Sequence, residues 1–447
     1  MSGKSLLANG ARAAQGLLFG ARNPLPSLVL FAFALSSPSV AAVELQVTES
    51  RTIVVSELHA VNHLSKLSNG NLLLCGAGKG AWIAELEPKE GSLRRLFARP
   101  AEVGWLDECN VGFKKDADTY GMFGHYSMRD ALPDAVTPRF PVPLFPTVGV
   151  LSFIPPIGQS RTEQLLGEAR AGHRSSIARV ILLDDGYLAL GVRTREWPSE
   201  DPPGTSNIGL TVLMRLGADG RRVWEFELSE DQGAVVMMTP TAGFSGPVEL
   251  ADGSFAFAVP ALALAPSRSA PASERRIMSP RDLDPRGVPG RLLFQVSRDG
   301  REIGRRRIEA TRYLTRRGEK LVSVGLDRNF DNVVVQTIGT DLGIESSEVT
   351  PLKGNGFSPY AGFVTESGAT LLVGFMRPSS GARGSVVVVE PRKGELVVRH
   401  QFPPGLPVSV AATLDKDELV VARLGSIPLG SSVATRELVF TRFRLTH

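Results

Sequence analysis

A turn followed by a run of strand-forming apolar residues recurs along this chain and limits its fold more than any other feature. At 65–78 the sequence reads SKLSNGNLLLCGAG, where Asn-Gly supplies the positive φ angles of a tight turn and the leucines form a return strand. Comparable stretches lie at 182–192, 248–259, 327–339, 364–375 and 413–425, with a weaker copy at 114–127. The sequence therefore predicts seven β-hairpins.

A second hairpin follows several of the first ones. These second hairpins lie at 82–98, 212–228, 292–310 and 386–402. Two hairpins make a four-stranded antiparallel unit. A unit that recurs about every 40 to 80 residues, with each unit forming one blade, is typical of a β-propeller. We therefore expect an all-β protein, a β-propeller of seven four-stranded blades. Counts of six or eight stay open, because the unit near 101–168 is degenerate and the one near 318–357 is compressed.

The two ends of the propeller are expected to pair with each other. The last unit supplies only three strands and ends in ATRELVFTRFRLTH, whereas residues 44–55 form an extra strand ahead of the first unit. An unpaired edge strand is a template for aggregation. The sequence thus predicts that the N-terminal strand closes the last blade.

The first 42 residues have the pattern of a secretory signal peptide. They carry three basic residues and no acidic one: Lys4, Arg12 and Arg22. The apolar run LPSLVLFAFAL and the small residues SSPSVAA follow, which predicts cleavage after Ala41 or Ala42 and a single propeller domain over 43–447. An apolar run of about 11 residues spans about 16 Å as a helix, too short for a stable membrane span, although an uncleaved anchor stays open. We expect a periplasmic or secreted protein.

Charge and cysteine content are consistent with export. Removal of the first 42 residues lowers the formal net charge from +4 to about +1, so no nucleic-acid partner is expected. The chain has two cysteines, Cys75 and Cys109. They are compatible with one disulfide in an oxidising compartment or with two buried thiols, and the sequence leaves both readings open.

The second hairpin at 212–228, VLMRLGADGRRVWEFEL, resembles the repeat of PQQ-type propellers, in which an apolar strand, an Asp-x-Gly-like turn and a Trp-containing strand follow one another. The spacing from DDGYLALG to VLMRLGADG is also similar to delta-60-like bacterial repeats, and the resemblance is clear over about two blades. In the quinoprotein enzymes a Trp recurs in blade after blade. Here Trp224 stands alone, with Leu96, Gly304 and Val398 at the equivalent places, so no cofactor is expected.

Three long insertions are expected on one face of the propeller. The turns between the first and second strands of each blade lie on one face, here the turn face. The loops between the second and third strands and the links between blades lie on the other, here the cap face. Insertions at 128–147, 193–207 and 264–290 all belong to the cap face, over the second to fourth blades. Loops of this length are usually functional or disordered. The sequence does not decide whether these insertions form a binding cap or are mobile loops without a function.

Arginines concentrate in the third insertion and the link that follows blade 4. The candidate ligand-binding residues among them are Arg275, Arg276, Arg281, Arg306 and Arg312. Guanidinium groups match carboxylate and phosphate oxygens, so this zone suits anionic glycans, phosphate groups or an acidic protein. The alternative is a set of solvated loop charges balanced by nearby carboxylates such as Glu274 and Glu309.

Histidines and acidic residues near the channel are weak candidates for chemistry. The catalytic candidates are His59, His63, Asp107 and His173. With Asn62, Glu108 and His125 they offer metal-ligand types, but at no diagnostic spacing, so ordinary polar channel residues are the main alternative and no metal is expected. The GAGKG at 76–80 lacks the following helix of a phosphate loop and is read as a Gly-rich hairpin.

Two classes of function follow from these patterns. The leading hypothesis is an exported binding or assembly module that engages a protein or an anionic polymer through its cap face. The alternative is a propeller enzyme, a lyase, lactonase or hydrolase, that uses channel histidines and acidic residues. A purely structural module is a third hypothesis. Fold resemblance by itself does not choose among them.

Overall fold

The computed structural model describes residues 43–56, 58–78, 80–98, 108–127, 147–156, 162–167, 175–194, 208–228, 234–236, 244–261, 290–309, 312–327, 329–425 and 435–446. All regular secondary structure in these residues is β, and the strands form seven antiparallel sheets. The predicted seven-bladed β-propeller is therefore confirmed. It lies within the compact unit Val40–His447. No helix in the described ranges is long and apolar enough to cross a membrane.

The first three blades each use four strands that are consecutive in sequence. Blade 1 contains β2 (Leu58–Lys66), β3 (Leu72–Gly78), β4 (Ala81–Glu87) and β5 (Ser92–Ala98). Blade 2 contains β6 (Glu108–Lys114), β7 (Tyr120–Ser127), β8 (Thr147–Ile154) and β9 (Thr162–Leu165). Blade 3 contains β10 (Ser175–Leu183), β11 (Gly186–Thr194), β12 (Ile208–Gly217) and β13 (Arg222–Glu227), with the short β14 (Ala234–Val236) also paired to β12.

The next three blades follow the same order. Blade 4 contains β15 (Ser245–Glu249), β16 (Phe255–Ala261), β17 (Gly290–Val296) and β18 (Glu302–Ile308). Blade 5 contains β19 (Tyr313–Arg317), β20 (Lys320–Leu326), β21 (Asn332–Ile338) and β22 (Ile344–Pro351). Blade 6 contains β23 (Gly356–Val364), β24 (Thr370–Arg377), β25 (Ser385–Arg392) and β26 (Glu395–Gln401).

Blade 7 combines the two ends of the propeller. Its strands are β27 (Ser409–Asp415), β28 (Glu418–Leu424), β29 (Thr435–Thr446) and, on the outside, β1 (Glu44–Ser56). β1 runs antiparallel to β29, from Glu44 opposite Thr446 to Ser56 opposite Thr435. The predicted closure of the last blade by the N-terminal strand is confirmed.

The hydrophobic core is divided among the interfaces between blades. The described residues form seven buried clusters, and each cluster joins two neighbouring blades. One cluster packs Leu72 and Leu74 of blade 1 against Val420 and Phe440 of blade 7. The apolar runs after the tight turns, which are buried on both faces, supply much of this core. Each blade is thus stabilised by its neighbours, as in other repeat proteins.

Two contacts tie particular blades together. The Sγ atoms of Cys75 on β3 and Cys109 on β6 are bonded, with the Cα atoms 5.6 Å apart and both side chains fully buried, so a disulfide joins blades 1 and 2. In blade 3, the Trp224 indole Nε1–H donates to the carbonyl oxygen of Arg298 in the turn of blade 4, at 2.8 Å. Its ring lies against Gly300, where a Cβ would come within 2.8 Å of Trp224 Cδ2.

Blade 5 differs from the sequence interpretation. The stretch 327–339 was expected to be a first hairpin, but the turn it contains joins the second and third strands, β20 and β21. The first hairpin is β19 to β20, and Gly318, with φ +61°, makes its turn in the sequence RRGE. The interpretation was wrong because Asp327 bonds the backbone N–H of Asp331 and Asn332, which gives a cap-face loop the polar residues of a hairpin turn.

Candidate functional site

The channel of the propeller is lined by the innermost strands, one from each blade: β2, β6, β10, β15, β19, β23 and β27. Each innermost strand begins at the cap face and ends at the turn face. In sequence, the predicted insertions fall between the second and third strands of blades 2, 3 and 4; apart from their ends they lie outside the described residues, so their place on the cap face stays a prediction.

Backbone irregularities re-aim side chains in the channel wall. The innermost strands of blades 1, 2, 3, 4 and 6 each shift register near their cap-face half. A bulge leaves one residue unpaired and turns the strand locally, which moves a side chain off the regular alternation. The residues at or directly beside these shifts include Asn62, Asn110, Arg179 and Tyr360.

Arginines and tyrosines from four blades lie within electrostatic range of Arg312, which precedes blade 5. They are Arg179 on the innermost strand of blade 3, Arg291 on the third strand of blade 4, Tyr313 of blade 5 and Tyr360 of blade 6. Burial lowers the pKa of Arg179, the Tyr313 side chain opposes that change, and the charge of Arg312 adds to it. Burial and then the charge of Arg312 lower the pKa of Arg291 to about 10. Arg312 is therefore close enough to Arg179 and Arg291 for their positive charges to repel one another.

Blade 4 carries basic side chains from its outer edge to the channel. Arg306 is exposed on the outermost strand, opposite Leu293, and Arg291 lies near the cap-face start of the third strand. Arg312 follows in the link to blade 5, where its backbone N–H donates to the carbonyl oxygen of Val324 at 2.7 Å. Arg306 and Arg312 were predicted ligand residues; Arg275, Arg276 and Arg281 lie outside the described residues.

The predicted catalytic histidines lie in different surroundings. His59 is exposed, and its carbonyl oxygen accepts a hydrogen bond from Arg436. His63 is half-buried, and its Nδ1 accepts from the Gly112 backbone N–H at 3.3 Å. Burial and then the charge of Arg179 lower the pKa of His63 to about 4, so its ring is neutral at pH 7 with the proton on Nε2. The register of β2 shifts at His59 and again between Val61 and His63, so the spacing of four residues does not by itself place the two histidines on one face of the strand.

Asp107 and His173, the other two catalytic candidates, lie outside the described residues. Within the described ranges, no group of three or more His, Cys, Asp or Glu side chains is placed to hold a metal ion.

Ser176, which the sequence interpretation missed, joins the candidates Asn62, Glu108 and His125 in a polar group on blades 1 to 3. Ser176 Oγ and His125 Nδ1 are 3.3 Å apart, and Glu108 is directly opposite His125 in the antiparallel pair β6–β7. Burial raises the pKa of Glu108, and a 3.4 Å hydrogen bond from Asn62 Nδ2 to Glu108 Oε2 opposes that rise. Ser176 had no sequence signal, because its partner is 51 residues away on another blade.

Comparisons with known proteins give a likeness of fold only. No family model matches the sequence, and no curated protein matches it. The structure is similar to a Trypanosoma rangeli sialidase in complex with the inhibitor DANA, at 10% identity, over 89% of this chain and 60% of that one, with a TM-score of 0.40. It is similar to a puromycin-hydrolyzing peptidase of Mycobacterium tuberculosis, at 14% identity, over 82% of this chain and 50% of that one, with a TM-score of 0.42.

A protein of unknown function from Bacteroides caccae is similar at 12% identity, over 74% of this chain and 93% of that one, with a TM-score of 0.39. The chain spans three fifths of the sialidase and half of the peptidase. At these identities and TM-scores, the likenesses carry no argument about activity or ligand.

Proposed function

We propose that this protein is an exported β-propeller binding module that engages an anionic protein or polymer through its cap face over blades 2 to 4. One observation carries the proposal: Arg306 on the outermost strand of blade 4, Arg291 near the cap-face start of its third strand and Arg312 in the link to blade 5 follow one another from the outer edge toward the channel. Arg275, Arg276 and Arg281 belong to the insertion between β16 and β17 of the same blade, and we assign them to the same binding surface.

The chemistry of this surface favours an anion. Burial and then the charge of Arg312 lower the pKa of Arg291, so negative charge near both groups favours the charged form of the Arg291 guanidinium. Guanidinium groups bind carboxylate, sulfate and phosphate oxygens through paired N–H donors. A partner with repeated negative charges can contact the outer edge and the channel mouth at once.

Binding to two immobilised polyanions, polyglutamate and dextran sulfate, tests this proposal. The substitutions Arg291→Gln and Arg312→Gln together should weaken binding by at least about tenfold, because a hydrogen bond to a charged group is worth about 1.5 to 3 kcal/mol. Arg306→Gln should weaken it less, since an exposed charge is screened. The immobilised polyanion that retains the protein up to the higher salt concentration shows which class of partner, carboxylate or sulfate, binds more tightly.

Arg444→Gln is the matched control, because Arg444 is exposed near the turn-face end of blade 7, opposite Glu418. Arg444→Gln, Arg291→Gln and Arg312→Gln each remove one positive charge, so equal weakening by these three single substitutions would mean that only net charge matters, and the cap-face proposal would be wrong. Thermal unfolding of each variant checks that the propeller is intact.

Export, repeat family and cofactor belong to the same proposal. The basic and apolar pattern of residues 1–42 supports secretion to the periplasm or the medium. The hairpin at 212–228 supports membership of the PQQ-like or delta-60-like repeat proteins, as a binding propeller without a cofactor. Fractionation of cells that express the full chain, with mass determination of the exported form, tests the cleavage after Ala41 or Ala42.

A hydrolytic enzyme is the second candidate, and the Ser176–His125 contact favours it. A serine hydroxyl beside an imidazole, with a carboxyl group on the adjacent strand, contains the residue types of a nucleophile, a base and an orienting acid. Ser176 is 4% exposed, so a substrate must reach it through the channel. Ester hydrolysis that Ser176→Ala abolishes and Ser175→Ala preserves would establish this candidate; equal rates in both variants would exclude it.

A further inference from the structure

We infer a second binding site at the turn-face end of the channel, for a small molecule that joins an apolar body to a carboxylate or similar anionic group. The site is a cavity of about 690 Å³ between the innermost strands of blades 1, 2 and 3. It is at the opposite end of the channel from the insertions, so it does not depend on the cap-face proposal. Its volume is within the range of about 300 to 1,000 Å³ that is usual for small-molecule sites.

One wall of the cavity is apolar. Val111 and Phe113 of blade 2 and Val180 and Leu182 of blade 3 line it. Leu182, next to the last residue of β10, is 53% exposed, whereas the adjacent Ile181 and Leu183 are half-buried and pack against the cluster between blades 3 and 4. An apolar ligand in the cavity would cover Leu182, and burying such a side chain contributes up to about 2 kcal/mol.

Hydrogen-bond donors lie on the other wall. His63 lines the cavity, and because its Nδ1 accepts the Gly112 N–H, its Nε2 carries the proton when the ring is neutral. The Ser65 hydroxyl lies on the same strand and also lines the cavity. A ligand acceptor group that enters the cavity therefore meets donors from blade 1.

Lys114 supplies the charge for an anion. The cavity is also lined by Lys66, but Lys66 Nζ already contacts Asp415 at 3.1 Å and Glu418 at 2.5 Å. The described residues contain no ion pair to Lys114, whose Nζ is 5.7 Å from the centre of the Tyr120 ring. The one lining carboxylate, Asp116, accepts the backbone N–H groups of its own turn. Lys114 is thus the cation best placed to bind a carboxylate.

Isothermal titration of the purified propeller with decanoate, decanol and decylamine tests the site. We expect saturable decanoate binding, weaker decanol binding and no decylamine binding. Lys114→Gln should weaken decanoate binding by about tenfold, which is the expected effect of losing one hydrogen bond to a charged group. It should leave decanol binding unchanged. Leu182→Asp should weaken both decanoate and decanol.

Two matched controls keep the test specific. Lys115→Gln changes the adjacent lysine, whose Nζ lies over the Phe153 ring at 3.8 Å and which does not line the cavity. Val223→Asp changes an apolar residue that is 65% exposed, on the outermost strand of blade 3. Both controls should bind decanoate as the parent protein does. Absence of saturable decanoate binding, or equal loss in Lys114→Gln and Lys115→Gln, would overturn the site, and equal affinities for decanol and decanoate would overturn its anionic preference.

Discussion

Asn62 and Asn110 make the same hydrogen bond one blade apart. Each occupies the bulge of its innermost strand, and each donates from Nδ2 to the carbonyl oxygen that precedes the bulge of the next blade. Asn62 reaches Cys109 at 3.1 Å, and Asn110 reaches Ile177 at 2.5 Å. Blade 3 has Ala178 at the corresponding place, so the series ends there. Blades 1, 2 and 3 are thereby joined by a repeated contact beside the channel.

Substitution of Asn110 should destabilise the propeller. Asn110 is 5% exposed, and Asn110→Ala removes its bond between blades, which should lower the free energy of unfolding by about 1 to 3 kcal/mol. Asn110→Asp should cost more, because a carboxylate oxygen would then face the Ile177 carbonyl oxygen. Urea unfolding measures both. Asn332→Ala is the control, since the Asn332 side chain bonds Asp327 within one loop of blade 5. An Asn110→Asp protein as stable as the parent would contradict the inference.

The disulfide between blades 1 and 2 should contribute strongly to stability. It links residues 34 apart in sequence, for which the chain-entropy model gives about 3 to 4 kcal/mol. Reduction of the protein, or replacement of both Cys75 and Cys109 by Ala, should lower the free energy of unfolding by this amount. Reductant should have no effect on the double variant. Titration of denatured, exported protein should find no free thiol, and two thiols per chain would show that the bond does not form.

Glu85 should make stability depend on pH in the acid range. Burial raises its pKa, but hydrogen bonds from Asn71, Tyr120 and Arg94 together lower it to about 2, from an ordinary value of 4.5. A carboxyl group whose pKa is lower in the folded state contributes stability above its unfolded pKa and loses it as the pH falls toward the folded one. Glu85 is 5% exposed, so this contribution is about 3 kcal/mol at neutral pH.

The Glu85→Gln variant should therefore be less stable than the parent protein at pH 7. The difference should shrink as the pH falls from 4.5 toward 2, the window between the two pKa values. Urea unfolding across this range measures it, with Glu87→Gln, an exposed residue at the end of the same strand, as the control. A difference that stays constant with pH would show that Glu85 stabilises the blade by packing rather than by charge.

Gly300 should tolerate no side chain, for two separable reasons. Its φ is +86°, which strains any L-residue, and an added Cβ would meet the Trp224 ring at 2.8 Å. Gly394 has a φ of +78° and nothing within 4 Å of the Cβ position. Gly394→Ala thus measures the backbone strain alone. Gly300→Ala should be less stable by a further 1 to 3 kcal/mol, roughly the cost of overpacking. Equal melting temperatures of the two variants would mean that Trp224 moves aside freely.

The sequence predicted the architecture because hairpin turns are local. Asn-Gly and Asp-Gly turns and the apolar runs after them depend on neighbouring residues only, so blade count and closure followed from them. The hairpin of blade 5 was missed because its turn, RRGE, has no Asn or Asp before the glycine. The residues of the candidate site were harder to predict from the sequence. In the sequence, Arg179 has the pattern of an ordinary strand residue. It follows a bulge that no sequence pattern predicts, and it lies within electrostatic range of Arg312 and of Tyr313 in blade 5.

The pairing of β1 with β29 sets an order of events during synthesis. Ser50 and Thr441, whose hydroxyl oxygens lie 3.2 Å apart, are separated by 391 residues. The first strand of the propeller to leave the ribosome must therefore remain without its partner until the last strand of the propeller has been made. A chain cut short anywhere before β29 leaves β1 unpaired and the last sheet incomplete, and both open edges invite association with other chains. Closure of the ring thus distinguishes complete products from truncated ones.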